Sequence, residues 1–144
     1  ISIFLFYNFR NKAIYFSGDA GSITISYIIS FIVLYLIIID NNIKWILLLG
    51  IYGLDSLGTI ILRLIRRENI LTAHRSHLYQ YLYNEKKISA LIISTIYSTL
   101  QIVINYMIIY YSEMIYIIYY FIIILFYITI RIKLEGFSRL FIKY

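Results

Sequence analysis

Long apolar runs dominate the chain, and short polar breaks separate them. Crossing about 30 Å of hydrocarbon takes roughly 20 helical residues. Four runs approach that length: about Ile23 to Ile39, Ile43 to Ile65, Ile88 to Tyr111 and Met114 to Ile130. The breaks are Asp40-Asn41-Asn42, the stretch that opens with Arg66-Arg67-Glu68, and the residues around Glu113. The runs are continuous rather than alternating, which predicts helices and not the strands of a membrane barrel. A fifth apolar piece, Ile1 to Tyr7, is too short to span and reads as the end of a preceding helix. The expected fold is all-α: one polytopic membrane domain over 1–144, with about four transmembrane helices plus that helix end.

Charge gives this pattern a direction. The chain has 13 Lys and Arg against 7 Asp and Glu, a net charge of +6. If the four helices alternate, Arg10, Lys12, Arg63, Arg66, Arg67, Arg75, Lys86, Lys87, Arg131, Lys133, Arg139 and Lys143 share one side. Lys44 alone lies on the other. Such asymmetry marks the cytoplasmic face. The basic balance is therefore a topology signal, and nucleic acid is excluded as an expected partner. At 62% hydrophobic and 14% charged, the composition also excludes an ordinary soluble domain and a disordered one. Cysteine is absent, which removes disulfides and thiolate metal sites.

Three polar places are not explained by hydropathy. The first is Phe16-Ser17-Gly18-Asp19-Ala20-Gly21-Ser22, just before the first span. Gly18 and Gly21 permit close approach and unusual dihedrals, and Asp19 or Ser22 suits a helix cap. A helix start beside a carboxylate also suits a phosphate with Mg²⁺. The second is Asp55 inside the second span, roughly 12 Å along a helix from Arg63. Intramembrane carboxylates are costly and are paired or functional. Thr59 lies one turn on, and Gly50, Gly53 and Gly58 are expected to admit a neighbouring helix. The bland alternative is an Asp bonded to Thr or Ser on that neighbour. The third place is the loop from Arg63 through His74-Arg75-Ser76-His77-Leu78-Tyr79-Gln80. On a helix His74 and His77 would share a face, and with several Arg they suit a pyrophosphate. The plain alternative is a basic loop with two incidental His.

Taken in order, Phe4 to Phe9, Phe16 to Ser22, Leu54-Asp55, Arg63 with Arg66-Arg67, and His74 to Gln80 resemble the C-terminal part of a known family. It is that of the polyprenyl-phosphate N-acetylhexosamine-1-phosphate transferases, the family 4 glycosyl transferase group. The His-x-x-His form followed by Tyr-Gln resembles its O-antigen and common-antigen branch more than the phospho-MurNAc-pentapeptide translocases. The resemblance implies transfer of a sugar-1-phosphate from a UDP-N-acetylhexosamine to undecaprenyl phosphate, with release of UMP. It implies Mg²⁺, with Mn²⁺ as a substitute, bound at Asp19. It implies substrate-binding roles for Asn8, Phe16, His74, Arg75 and His77, and supporting roles for Gly18, Gly21, Ser22 and Asp55. The bilayer is a further expected partner, and a homodimer is left open. The implied location is the bacterial inner membrane, with the active face and the C-terminus cytoplasmic. The family's paired aspartates and its Asn-rich, Asp-Gly-containing loop are absent. They are expected upstream of Ile1, in a longer enzyme of which this chain is the C-terminal part. The Pro usual between the Asn-Phe and Gly-Asp elements is also missing, and Ser17 stands where Met or Leu is usual. Two rivals are a catalytically incomplete membrane remnant and a transporter or channel subunit with Asp55 on an ion path.

Overall fold

A computed structural model describes residues 6–9, 18–72 and 75–136, the Asp19 side chain excepted. Residues 6–8 form a helical turn. Then come α1 (Gly18–Asp40), a 3-10 helix (Ile43–Leu49), α2 (Gly50–Ile65), α3 (Leu78–Asn84), α4 (Ala90–Tyr110) and α5 (Glu113–Glu135). No strand occurs among the described residues. Among the described residues, four segments are long and apolar enough to cross a membrane: Ala20–Asp40, Ile43–Ile65, Ala90–Tyr110 and Glu113–Glu135. The all-α, multi-pass architecture is the expected one, and its broad apolar surface is compatible with a bilayer.

The helix ends follow local chemistry. Gly18 opens α1 with a left-handed φ of 65°, a conformation that a Cβ disfavours. Gly21 sits in ordinary helical backbone. Since α1 begins at Gly18, Ser22 falls inside the helix and not ahead of its first residue, contrary to expectation. At the far end Asn41 turns the chain at φ 46°, and the Asn42 side chain caps the 3-10 helix by accepting from Lys44 N–H at 2.8 Å. Ser89 caps α4 by accepting from Ile92 N–H. Gly136 ends α5 at φ 81°.

The second span is not one continuous α-helix. It changes from 3-10 to α at Leu49–Gly50. Such a break leaves backbone groups to be satisfied within the membrane. Gln101 on α4 does so, accepting from Ile51 N–H at 2.9 Å and donating to Leu47 C=O at 2.9 Å. Tyr120 on α5 donates to Gly50 C=O at 3.1 Å.

The 3-10 helix packs on α1 and α4, α2 on α4, and α4 on α3 and α5. Val33 is the one buried residue among those described in α1, which leaves that helix at the edge of the bundle. The core has two halves. Toward the Asp40 and Glu113 end it is apolar, built on Ile51, Ile104, Ile108 and Tyr116. Toward the basic end it is polar. Its buried polar members are Asp55, Thr59, Arg63 and Arg131.

Candidate functional site

The polar half-core is two stripes with the spacing of one helix face. Asp55, Thr59 and Arg63 lie along α2, and Tyr127, Arg131 and Glu135 along α5. Gly58 makes their approach possible. A Cβ there would stand 3.0 Å from the Tyr127 ring and 3.1 Å from its hydroxyl. Gly50 plays the same part beneath Tyr120, at 3.2 Å. Gly53 does not, since nothing lies within 4 Å of the place its Cβ would take. Of the three glycines expected to admit a neighbour, two do.

Asp55 is 3% exposed and Arg131 2%. Their nearest charged atoms, Asp55 Oδ1 and Arg131 Nη1, are 3.9 Å apart. The Tyr127 hydroxyl bridges them, accepting from Arg131 Nη1 and donating to Asp55 Oδ1 at 2.9 Å. Arg131 Nη1 also donates to Thr59 Oγ1 at 3.0 Å, and its Nε donates to Glu135 Oε1 at 2.8 Å. Asp55 Oδ2 accepts a longer bond from the Tyr97 hydroxyl, at 3.4 Å. Two further bonds leave the helices for the loop. Asp55 Oδ1 accepts from Leu78 N–H at 2.9 Å, and Arg131 Nη2 donates to Ser76 C=O. The carboxylate thus sits on the N-terminal end of α3, where free N–H groups and the helix dipole favour it.

Arg75, Ser76 and His77 lie at the head of α3. Arg75 is exposed and His77 half-buried. His77 has extended backbone (φ −67°, ψ 147°) and precedes the helix rather than lying in it. Its N–H donates to Gln80 Oε1 at 3.4 Å, and its ring stacks on Tyr79 at 5.5 Å between centroids. Burial, with the Asp55 carboxylate second, raises the Tyr79 hydroxyl above its ordinary range, which keeps it neutral. Ser76 Oγ is buried with no hydrogen-bond partner among the described residues, an uncommon state for a hydroxyl.

The other basic residues divide. Arg63, 2% exposed, organises the loop beyond it. It donates to Glu68 Oε2 at 3.1 Å, to the carbonyls of Asn69, Ile70 and Thr72, and to Thr72 Oγ1 at 3.0 Å. Arg66 pairs with Glu68 at 2.9 Å. These two arginines of the expected phosphate-binding loop therefore serve the loop's own structure. Arg131 is a second correction. The sequence reading takes it as the charge that ends the fourth span, whereas it lies within α5 as the partner of Asp55. The plain reading of Asp55 as bonded to a neighbouring Thr or Ser is also displaced. Its partners are two tyrosines, a backbone N–H and an arginine.

Phe16 and His74 lie outside the described residues, as does the Asp19 side chain. Asn8 is half-buried in its helical turn. Gly18, Gly21 and Ser22 form the start of α1, at the end of the bundle that chain direction assigns to the basic loop. No group of three or more His, Cys, Asp or Glu able to hold a metal occurs among the described residues. No family model, curated protein or solved structure matches the chain.

Proposed function

We propose that this chain forms part of a sugar-1-phosphate transferase of the bacterial inner membrane, working at its cytoplasmic face. An oxygen of undecaprenyl phosphate attacks the β-phosphorus of a UDP-N-acetylhexosamine. The bond from that phosphorus to the bridging oxygen breaks, and UMP leaves with the electron pair. Such transfers rest mainly on positioning and charge neutralisation. Asp19 is the residue proposed to hold Mg²⁺. Arg75, His77 and His74 are proposed to steady the diphosphate, and Phe16 and Asn8 to face the nucleotide.

One observation supports this reading above the others. An intramembrane ion pair is bonded to the backbone on both sides of His77, through Ser76 C=O and Leu78 N–H. Buried charge in a membrane is retained where it has work to do. Here it fixes a His/Arg turn at the end of the bundle, where a lipid phosphate and a soluble nucleotide can meet. The same contacts disfavour Asp55 as a stop on an ion path, because its two oxygens already accept from internal donors.

Asp19→Asn in the membrane-embedded protein tests the proposal. Mg²⁺-dependent release of UMP should vanish while the amount of protein in the membrane stays unchanged. Near-normal turnover in that variant removes Asp19 from the site.

A further inference from the structure

Arg131, like Asp55, has a side chain that joins both long helices of the polar half-core to the loop. Its Nη1 reaches Thr59 on α2 and Tyr127 on its own helix, its Nη2 reaches Ser76 C=O, and its Nε reaches Glu135. The bond to Thr59 ties α5 to α2, and so does the bond from the Tyr127 hydroxyl to Asp55. The bond to Ser76 adds nothing to that packing, and neither does the bond from Leu78 N–H to Asp55. Both act on the turn. They hold the peptide groups on either side of His77, whose ring is stacked on that of Tyr79. A fork with three directed nitrogens is suited to such a junction, because its donor directions are rigid. The bridging Tyr127 hydroxyl orients Arg131 and Asp55 together, and Gly58 leaves it room.

We propose that Arg131, acting with Tyr127 and Asp55, is the positioning residue for the Arg75–His77 turn, the face that takes the diphosphate of the donor. The last membrane helix thereby sets the geometry of a site to which it contributes no substrate contact. The diphosphate part rests on the transferase reading, and the positioning part does not.

The chain has no native cysteine, so Ser76→Cys gives a single thiol on the turn itself, in place of a buried hydroxyl oxygen. Its reaction with a water-soluble maleimide should be slow in the otherwise unchanged protein. Adding Arg131→Met should speed it by about tenfold or more, as expected when local opening becomes easier. Arg131→Lys should fall between, keeping the charge and losing the fork. Glu113→Gln, at the opposite end of the bundle, should change nothing. In proteins carrying native Ser76, UMP release is then followed against UDP-N-acetylglucosamine concentration. Arg131→Met should raise KM about tenfold, and Arg131→Lys should recover part of it. A merely structural role would lower kcat through loss of folded enzyme and leave KM unmoved.

Unchanged labelling in Arg131→Met with intact helical circular dichroism overturns the proposal. Lost turnover at constant KM does so too. If Arg131→Met does not fold, Tyr127→Phe removes the bridging hydroxyl and keeps the ring. Labelling equal to that of the parent then overturns the proposal, and faster labelling supports it. Faster labelling in a protein that releases no UMP even with Arg131 intact upholds the positioning role and sinks the transferase reading.

Discussion

Replacing Asp55 and Arg131 singly and together separates the worth of the ion pair from that of its hydrogen bonds. Asp55→Leu leaves a buried guanidinium with Glu135 as its remaining carboxylate, and leaves Leu78 N–H and the Tyr127 hydroxyl without their acceptor. Arg131→Met leaves Asp55 and Glu135 without their cation and Ser76 C=O without its donor. Removing one member of a buried pair costs about 3–5 kcal/mol, because the other charge stays behind uncompensated. Independent effects would therefore sum to about 6–10 kcal/mol in the double variant. The coupled prediction is far lower. With both charges gone, five neutral groups lose a partner, Leu78 N–H, the Tyr97 and Tyr127 hydroxyls, Ser76 C=O and Thr59 Oγ1, and Glu135 loses its cation as it does in Arg131→Met alone. At about 0.6 kcal/mol each within a membrane, the five come to roughly 3 kcal/mol. The double variant should thus be at least as stable as Arg131→Met, because it no longer strands the Asp55 charge. Reversible unfolding in mixed micelles, as the denaturing detergent fraction rises, measures this. The single tryptophan, Trp45, reports it from the far end of the bundle. A double variant clearly less stable than the worse single one, or singles that add, would refute the idea that the pair acts as a unit.

The glycines of α2 offer a contrast in the same assay. Gly58→Ala pushes a methyl onto the Tyr127 ring and should cost about 1–3 kcal/mol. Gly53→Ala meets nothing and should be neutral or stabilising by up to about 1 kcal/mol; equal effects at the two positions would show that Tyr127 is not seated on Gly58. Arg63→Met removes the cation around which residues 68–72 are arranged, so trypsin should cut after Arg67 about tenfold faster or more. An unchanged cleavage rate would mean that the loop is held by other contacts.

Much of the architecture was legible in the sequence because span formation is a local matter. Hydrocarbon thickness sets the length of an apolar run, and runs of that length at Ile43–Ile65 and Met114–Ile130 need no tertiary information to be recognised. Asp55 stood out for the same reason, as a carboxylate in such a run. The break at Leu49–Gly50 was not legible. Its unsatisfied groups are met by Gln101 and Tyr120, which are distant in sequence and carry no local mark.

The sequence by itself determined the number and order of the spans, the basic face, and the presence of one costly charge inside the second span. Which residue answers that charge was decided by tertiary structure. Pairing depends on the rotation of each helix about its axis and on how far the loop dips into the bundle, and neither is written in hydropathy. One signal pointed that way: two polar stripes at matching spacing, 55, 59, 63 and 127, 131, 135. Only packing α2 against α5 turns those stripes into one network. Only the re-entry of Ser76–Leu78 gives that network something to hold. The fates of Arg63 and Arg75 follow from the same cause. Both belong to one basic stretch of sequence, yet Arg63, in the last turn of α2, is buried as the loop's scaffold and Arg75 stays exposed, because a guanidinium's role is set by the carbonyls that the fold brings within its reach.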